Sequence, residues 1–579
     1  MTNQMTGAQA ICESLLHEGV DVIFGIPGGA ILPFYDALYH YPQLRHVLMR
    51  HEQAAAHAAT GYARASGRVG VCVATSGPGA INLMSGLADA KMDSTPLVAV
   101  TGQVARPFLG TEAFQECDTI SMAAPLVKKT YLIMDPKDLP AVIHEAFQVA
   151  RGGRPGPVLI DVPKDVQAEM AEFAYPTDTV QPPASDPATG PLLQKAAHLL
   201  NGAARPLIIA GNGVHRSGAS GELIALAEKA NIPVINTLHG TGAFPRRHPL
   251  ALGMLGMHGM YWNNIATGEC DVLLAVGMRF DDRVIGRPGT FATNATVIHV
   301  EIEPTQINKN VHAHLAVIGD ARRVLMELLP LVQNQPRTDW FAHIADLQRD
   351  HPSIEVPQGD DLTPQFVLDR LNAQLQRHAD PLVVTGVGQH QMWSAQFLFI
   401  EKAYSFITSG GLGVMGFEVP ASIGAQVGRP EATIWTVAGD GGFQMTLQEL
   451  ATIAQEHLPI KFVIMNNGYH GMVRQWQELF YDHRYKAVAL THQADYVKLA
   501  TAFGIAGARV EEKSEVENAL VKAAAHDGPY ILDMAITPEE NVYPMVPPGA
   551  TLAETVEDPR VVHLRQPVTA GPEGTVSYP

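Results

Sequence analysis

The stretch from Ala438 to Gly471, AGDGGFQMTLQELATIAQEHLPIKFVIMNNGYHG, constrains the fold of this chain more than any other. The apolar run IWTVA at 434–438 predicts a buried strand, which breaks at GDGG (439–442), where glycines tolerate unusual backbone angles. Apolar residues at helical spacing predict a helix over 443–455, and PIKFVIM at 459–465 predicts a second buried strand. Strand, helix and strand in this order form a right-handed unit with parallel strands.

Each of these two predicted strands is followed by a polar side chain: Asp440 after the first and Asn467, 27 positions later, after the second. Because parallel strands place their carboxyl ends at one edge, where open α/β sheets bind ligands, both side chains are expected on one ion. With the backbone carbonyl of Tyr469 they form an oxygen set that suits Mg²⁺. A diphosphate would bind beside the ion, on the helix N-terminus and the amides of Gly439, Gly441 and Gly442. Taken separately, each motif is also compatible with an ordinary turn.

The composition excludes several classes of protein. A length of 579 residues suggests three or four domains, and 46% hydrophobic with 17% charged residues, against about 25% charged on average, predicts large cores and buried subunit interfaces. A net charge of −18 argues against nucleic acid as a partner. Scattered cysteines without metal spacing, no signal pattern and no apolar run of about 18 residues favour a soluble cytoplasmic protein without a membrane partner.

Strand-like runs alternate with helical patterns along the chain, which predicts an α/β fold of parallel, doubly wound sheets. Breaks at 171–191 and 333–364 divide it into domains expected at 1–180, 190–335 and 364–550. A segment at 551–579 follows, and its tail after about residue 565 reads as disordered. The first and third domains share the order Gly-rich turn, helix, proline and strand. A duplication, or a chance likeness of two such units, would explain this similarity equally well.

Longer stretches resemble one family. GDG followed by NN is similar to the thiamine diphosphate motif, and the chain from about Gly7 to Arg565 resembles the catalytic (large) subunits of acetohydroxyacid synthase, also called acetolactate synthase. The resemblance rests on GIPGGAILPFYDAL, RHEQAAAHAATGYARASG, ATSGPGAINL, GTEAFQE, GRPGPVLIDVPKDVQ, LGMLGMHG, RFDDRV, TSGGLGVMGFEVPASIGAQ, GMVRQW and VYPMVPPGA. It implies three doubly wound domains that bind, in order, the thiamine pyrimidine ring, FAD and the Mg²⁺-diphosphate.

Glu52 opens an Ala-rich helical stretch, where an isolated glutamate is usually solvated. The resemblance implies that it hydrogen-bonds the aminopyrimidine ring and promotes carbanion formation on the cofactor. Glu52 also argues against glyoxylate carboligase, a related enzyme that has valine at this position. Met415, by its surroundings a core methionine, is implied as the wedge that bends the cofactor. The other implied thiamine contacts are Pro27, Gly28, Gln389, His390, Gly413, Gly439, Gly441 and Gly442. The family usually has threonine and glycine where this chain has Val414 and Glu418.

The central domain contains RPLIIAGNGVHRSG, whose glycines alone are weak evidence for a nucleotide site. RFDDR alone reads as a solvated charged loop. The resemblance implies that both line FAD, which serves structure and assembly without net redox turnover. The implied FAD contacts are Gly211, Gly213, Leu255, Met257, His258, Arg279, Asp281, Glu301, Asp320 and Ala321.

The substrate contacts implied by the resemblance are Phe114, Gln115, Lys164, Arg283 and Trp476, each of which could instead be a surface or packing residue. Arg283 can pair bidentately with the carboxylate of a 2-oxo acid. Trp476 is implied in the preference for 2-oxobutanoate. The family's KHNY reads KKTY at 128–131, so no histidine role is transferred there.

The activity implied is that of acetolactate synthase: pyruvate is decarboxylated on thiamine diphosphate, and the hydroxyethyl carbanion adds to a second pyruvate or to 2-oxobutanoate. The products, 2-acetolactate and 2-aceto-2-hydroxybutanoate, lead to valine, leucine and isoleucine. A homodimer or tetramer with shared sites and a small regulatory subunit are also implied. The alternatives are a pyruvate oxidase, a flavin-free catabolic acetolactate synthase, and a non-catalytic assembly protein, which would have no need of Glu52, Asp440 and Asn467 together.

Overall fold

The computed structural model describes residues 4–176, 189–492 and 494–563. Within them lie three six-stranded sheets and one two-stranded sheet. All neighbouring strands in the three large sheets are parallel, which confirms the prediction of three doubly wound α/β units. The tail predicted to be disordered after about residue 565 lies outside the described residues, as does 177–188 of the predicted first break.

The first sheet has the strand order β3-β2-β4-β5-β7-β6, and β1 pairs with β8 antiparallel beside it. The strands are β1 (Gln4–Thr6), β2 (Val22–Gly25), β3 (Arg45–Leu48), β4 (Gly70–Ala74), β5 (Leu97–Gln103), β6 (Lys129–Leu132), β7 (Pro157–Pro163) and β8 (Met170–Glu172). The helices are α1 (Gly7–His17), α2 (Leu32–Leu38), α3 (Glu52–Ser66), α4 (Pro78–Asn82), α5 (Met84–Met92), α6 (Thr119–Ala123), α7 (Leu139–Arg151) and α8 (Lys164–Ala168).

The central sheet has the order β11-β10-β9-β12-β13-β14, the 3-2-1-4-5-6 order of dinucleotide-binding folds. Its strands are β9 (Pro206–Ala210), β10 (Val234–Asn236), β11 (Ala251–Met254), β12 (Val272–Val276), β13 (Thr296–Glu301) and β14 (Leu315–Ile318). The helices are α9 (Thr189–Gly202), α10 (Asn212–Arg216), α11 (Ser220–Ala230), α12 (Tyr261–Glu269), α13 (Asp282–Ile285), α14 (Ala321–Leu328) and α15 (Thr338–Asp350). Helix α15 lies in the segment predicted as a linker and buries Trp340 against the central core.

The third sheet has the order β16-β15-β17-β18-β20-β19. Its strands are β15 (Pro381–Thr385), β16 (Phe406–Thr408), β17 (Thr433–Gly439), β18 (Lys461–Asn466), β19 (Ala506–Val510) and β20 (Tyr530–Ala535). The helices are α16 (Pro364–Leu375), α17 (Gln389–Phe397), α18 (Glu418–Gly428), α19 (Asp440–Phe443), α20 (Leu450–Gln455), α21 (Gly471–Phe480), α22 (Tyr496–Ala502), α23 (Lys513–Ala525) and α24 (Pro559–His563).

The predicted strand-helix-strand unit is present, with two differences. The single helix expected over 443–455 is instead α19, a 3-10 turn at Leu447–Glu449 and then α20. The chain turns between them, where the Thr446 hydroxyl donates to the carbonyl of Gly416 at 2.8 Å. The GDGG glycines also adopt no left-handed backbone angles. They are needed for space, because a Cβ at Gly441 would lie 2.7 Å from His470 Nδ1.

Helices α3 and α18 join the first and third domains. Their backbones approach so closely that a Cβ at Gly61 would lie 2.0 Å from the Ala421 carbonyl oxygen, and one at Gly424 would lie 1.7 Å from that of Ala58. Alanines of both helices belong to one core shared by the first and third sheets. The Ala-rich stretch that Glu52 opens therefore serves contact between domains.

Across the described ranges, none of the helices combines the length and apolar character needed to cross a lipid bilayer. The four cysteines Cys12, Cys72, Cys117 and Cys270 are free thiols.

Candidate active site

A pocket lies at the carboxyl edge of the third sheet. The turns after β15, β17 and β18 and the start of α21 surround it, so it occupies the place that the motif spacing predicted. All its lining residues belong to the third domain: Val387, Gly388, Gln389, His390, Trp393, Met415, Gly439, Asp440, Gly441, Gly442, Met465, Asn467, Tyr469, His470, Gly471, Met472 and Val473.

Asp440 and Asn467 meet in this pocket. The N–H of Gly468 donates to Asp440 Oδ2 at 3.0 Å, and the N–H of Tyr469 donates to Asn467 Oδ1 at 3.1 Å. Burial raises the pKa of Asp440 to about 7, although the N–H groups of Gly441 and Gly468 act in the opposite direction. A cation beside the carboxylate would offset its loss of hydration.

The donor set fits a hard cation that keeps other oxygen ligands. In the described part of the chain, no cluster of three or more His, Cys, Asp or Glu side chains could hold a metal ion. Binding here would therefore depend on one carboxylate, one amide oxygen and a backbone carbonyl, completed by phosphate or water oxygens.

His390 and Gln389 close the pocket from the start of α17. Gln389 accepts from Asn467 Nδ2 at 3.1 Å and donates to Gln475 Oε1 at 2.9 Å, which fixes the asparagine. Burial lowers the pKa of His390 to about 3, so its ring is neutral. Its Nε2 is buried without a hydrogen-bond partner among the described residues, as expected for a group that meets a ligand.

Met415 lines the pocket in a segment held from both sides. The Ser409 hydroxyl accepts the N–H of Val414 at 2.9 Å, and Thr446 binds the carbonyl of Gly416. Gly413 has φ of +75°, a conformation that glycine adopts without strain.

Glu418, where the family usually has glycine, is fully buried behind the GDGG turn. Two glycines make room for it: a Cβ at Gly386 would lie 2.3 Å from Oε2, and one at Gly442 would lie 2.8 Å from Oε1. Neither carboxyl oxygen has a hydrogen-bond partner in the described structure. Burial raises the pKa of Glu418 to about 7.

The edge of the first sheet carries a second group of site residues. Glu52 is the first residue of α3, and its Oε2 accepts from Asn82 Nδ2 at 2.9 Å. Gly28 packs on Thr75, whose Cβ would lie 2.5 Å from a Cβ at position 28. Pro27 is exposed beside Gly28.

Three predicted substrate residues lie on this same domain. Phe114 is 88% exposed, Gln115 has φ of +60°, and Lys164 is the exposed first residue of α8.

The central sheet collects the predicted FAD residues at its carboxyl edge. They follow five of its strands: Gly211 and Gly213 follow β9; Leu255, Met257 and His258 follow β11; Arg279 and Asp281 follow β12; Glu301 ends β13; and Asp320 and Ala321 follow β14.

At the switch point between β9 and β12, backbone approaches backbone. A Cβ at Gly211 would lie 2.3 Å from the carbonyl oxygen of Gly277. His258 Nδ1 and Asp281 Oδ1 are buried and have no hydrogen-bond partner among the described residues. The crevice therefore has the strand order, the glycines and the unsatisfied polar atoms that suit a dinucleotide.

Arg283 and Trp476 are not among the residues that line the pocket of the third domain. Arg283 is in α13, its side chain is 58% exposed, and its Nη1 is 3.0 Å from Met257 Sδ. Trp476 lies in α21 and packs edge-to-face on Phe480 at 5.7 Å. One chain therefore presents the predicted residues as three groups, one on each domain.

Sequence reasoning missed two supporting residues. Asn82 holds Glu52 but stands 30 positions from it, so spacing gave no signal. Gln475 joins Gln389 to the N–H of Val542 and lies within the GMVRQW stretch, where the resemblance implies a role only for Trp476.

Three family descriptions match the chain. Residues 5–122 match the N-terminal TPP binding domain of thiamine pyrophosphate enzymes, residues 193–328 match their central domain, and residues 386–534 match their C-terminal TPP binding domain.

Full-length relatives are similar throughout. The acetolactate synthase isozyme 2 large subunit of Escherichia coli is 46% identical, over 96% of this chain and 100% of that protein. The probable acetolactate synthase large subunit of Methanocaldococcus jannaschii is 47% identical over 96% of both chains. The acetolactate synthase large subunit of Corynebacterium glutamicum is 45% identical, over 95% of this chain and 89% of that protein.

Proposed function

The chain belongs to the acetolactate synthase large-subunit family of thiamine diphosphate enzymes, and on that basis we propose that it condenses pyruvate with a second 2-oxo acid. The products are 2-acetolactate from pyruvate and 2-aceto-2-hydroxybutanoate from 2-oxobutanoate, precursors of the branched-chain amino acids. The observation that carries the proposal is the pocket in which Asp440 meets Asn467, in a chain that also retains Glu52.

Asp440, Asn467 and the Tyr469 carbonyl would hold Mg²⁺, and Gly439, Gly441, Gly442, Gln389 and His390 would contact the diphosphate. When bound, thiamine diphosphate supplies the nucleophilic carbon and the electron sink for decarboxylation and carboligation. The neutral His390 can donate to a phosphate oxygen, because its buried Nε2 has no other hydrogen-bond partner in the described structure. Met415, in a segment held at Val414 and Gly416, would support a bent cofactor.

Glu52 would contact the pyrimidine ring and hold a proton there. Asn82 fixes Oε2, and Gly79 leaves space at Oε1, which a Cβ at that position would approach to 3.3 Å. Oε1 would therefore be the oxygen free to contact the ring. Removing Asn82 would leave the carboxylate free to rotate.

Two chains would share each site. The pocket lining comes wholly from the third domain, whereas Glu52 lies on the first. A two-fold dimer would supply each pocket with Glu52 of the other chain. A tetramer would arise from two such dimers, and a small regulatory subunit is proposed because the relatives are named large subunits.

FAD would occupy the crevice of the central sheet, on the residues that follow β9, β11, β12, β13 and β14. Its proposed role is structural. Arg283 would pair with the substrate carboxylate, Trp476 would favour 2-oxobutanoate, and Phe114, Gln115 and Lys164 would line the approach.

A product assay tests the activity. Pyruvate alone should yield 2-acetolactate when thiamine diphosphate, Mg²⁺ and FAD are present, and omission of any one should abolish it. Under anaerobic conditions pyruvate should leave the flavin oxidised. Rapid bleaching without acetolactate would instead identify a pyruvate oxidase, and activity without FAD would contradict the flavin assignment.

Complementation tests the shared site. Glu52→Ala and Asp440→Ala should each be inactive, but a mixed dimer has one site with both lesions and one with neither. If chains associate at random, about a quarter of wild-type activity should return. Mixed dimers demonstrated by mass spectrometry yet without activity would refute the two-chain site.

A further inference from the structure

The loop that leads into α3 is held by the third domain of the same chain. Glu449, at the end of the 3-10 turn after α19, accepts the main-chain N–H of Arg50 at 3.0 and 3.2 Å with its two carboxyl oxygens. The Thr452 hydroxyl donates to Glu449 Oε2 at 2.8 Å. The two partners are 399 positions apart in the chain.

Glu449 is completely buried, which is costly for a carboxyl group unless its oxygens are hydrogen-bonded. Here its acceptor capacity goes to a backbone amide rather than to a cationic side chain. The Arg50 guanidinium turns away and donates to the Leu48 carbonyl and to Gln455 Oε1. The glutamate therefore fixes the path of the backbone at Arg50.

That backbone decides where Glu52 lies. Arg50 precedes His51, the N-cap of α3, and Glu52 is the first helical residue. A shift of the amide at Arg50 would rotate the first turn of the helix, and with it the Glu52 carboxylate. Catalytic groups lose much of their effect when misplaced by about 1 Å.

We propose that Glu449 is a positioning residue for Glu52, acting through the main-chain amide of Arg50 and not through the pocket that Asp440 and Asn467 line. The inference rests on the proposed shared site. In a two-chain arrangement, each chain contributes Asp440 to one site and Glu52 to the other. Glu449 is close in sequence to Asp440, but by this proposal it positions Glu52 and therefore affects the other site.

The first measurement is exchange of the C2 proton of bound thiamine diphosphate in D₂O, followed by acid quench and NMR. Glu449→Gln keeps the side-chain length but places an NH₂ group against the Arg50 amide. We expect exchange and kcat to fall together, roughly 10-fold or more, while the affinity for Mg²⁺ and thiamine diphosphate stays within about 2-fold. Unchanged exchange in a folded variant would overturn the proposal.

The second measurement identifies the site that Glu449 serves. A Glu449→Gln chain paired with an Asp440→Ala chain should place both lesions in one site and leave the other intact, so about a quarter of wild-type activity returns. Paired with Glu52→Ala, it should damage both sites. If Glu449→Gln retains a tenth of wild-type activity, that second mixture should show only about one twentieth.

The reverse pattern would mean that Glu449 acts on the pocket beside Asp440, and it would overturn the proposal. Failure to complement either partner, with mixed dimers demonstrated, would indicate a general structural defect and would overturn it too. The Glu52→Ala and Asp440→Ala pair is run alongside. If the Glu52→Ala and Asp440→Ala mixture regains no activity, the shared-site model is wrong. The C2 exchange measurement would still test the role of Glu449.

Two variants guard against misfolding and general interface effects. Thr452→Val removes one donor to Glu449 and should slow C2 exchange by a smaller factor with the same complementation pattern. Glu456→Gln breaks the pair between Glu456 and Arg45, 2.7 Å apart, which joins the same two domains at the start of β3. It should leave exchange within about 2-fold of wild type.

Discussion

The first and third sheets share one strand permutation, 2-1-3-4-6-5 when the strands of each are numbered in chain order, yet their carboxyl edges differ. The third strand of each, β4 and β17, leads to a short helix, α4 and α19 respectively. After β17 the turn carries Asp440 into a pocket. After β4 it carries Thr75, whose hydroxyl accepts the N–H of Ala30 at 3.2 Å.

The fourth strands differ in the same way. At the end of β5, Gln103 donates to Asp161 at 2.9 Å, and the Thr101 hydroxyl donates to the other oxygen of that carboxylate at 2.7 Å. Beyond β18, Asn467 lines the pocket. At these strand ends of the first sheet, Thr75, Thr101 and Gln103 hydrogen-bond to other groups of their own domain, whereas Asp440 and Asn467 of the third sheet line a pocket. Equal topology therefore does not fix equal chemistry.

The largest effect is expected when Asp440, at the carboxyl edge of the third sheet, is replaced. Asp440→Ala should abolish activity and weaken Mg²⁺-dependent thiamine diphosphate binding by at least about 100-fold, because the ion loses its carboxylate ligand. Cofactor titration measures this. The melting temperature of the cofactor-free variant should not fall, since a buried carboxylate has been removed, and unchanged cofactor affinity would remove Asp440 from the metal site.

A smaller loss of activity is expected when Asn82, at the edge of the first sheet, is replaced. Asn82→Ala should lower kcat roughly 10- to 100-fold, because a hydrogen bond to a charged group is worth about 1.5–3 kcal/mol. Mg²⁺ affinity should stay unchanged. Asn82→Asp, which faces Glu52 with a second carboxylate, should be more impaired. Weakened Mg²⁺ binding in Asn82→Ala would contradict the division of labour between the two edges.

Substrate choice tests the third domain beyond its metal pocket. Trp476→Leu should keep acetolactate formation but lower the selectivity for 2-oxobutanoate roughly 10-fold, since one methylene is worth about 1–3 kcal/mol. Competition between the two 2-oxo acids measures the ratio. Phe480→Leu, which removes only the ring packed against Trp476, is the control, and an equal shift in both variants would argue against direct contact.

The smallest effect is expected at Asp161 of the first sheet, whose carboxyl group accepts hydrogen bonds from Thr101 and Gln103. Burial raises the pKa of Asp161 to about 7, so between about pH 4 and 7 the folded chain keeps a proton that the unfolded chain releases. The free energy of unfolding therefore falls as pH rises through this range. Asp161→Asn should remove this part of the pH dependence and lower stability by about 1–3 kcal/mol, as denaturant titration at several pH values would measure. Cofactor affinity should be preserved, and its loss would mean that Asp161 also supports the residues of the first domain that contact the cofactor.

Much of the fold could be predicted because periodicity and strand ends are local properties of the sequence. Alternating apolar runs gave three parallel sheets, and Asp440 and Asn467 were expected together because their strands are consecutive in the chain and parallel. The break between α19 and α20 was missed, since the contact of Thr446 with Gly416 depends on tertiary structure. The spatial need for the GDGG glycines was missed for the same reason.

Residues that act across long sequence distances gave no such signal. The contact of Glu449 with Arg50 and the role of Asn82 depend on the packing of whole domains. For Glu418, the sequence showed that this residue differs from the family's usual glycine. It did not show that Gly386 leaves space for the larger side chain.

The close approach of α3 and α18 has a consequence for motion. At Gly61 and Gly424 each helix backbone rests on a carbonyl of the other, so sliding or hinging of the first domain against the third would bring backbone atoms into collision. We therefore expect these two domains to move as one body within a chain. Any opening and closing of the site would then fall to loops and to the central domain.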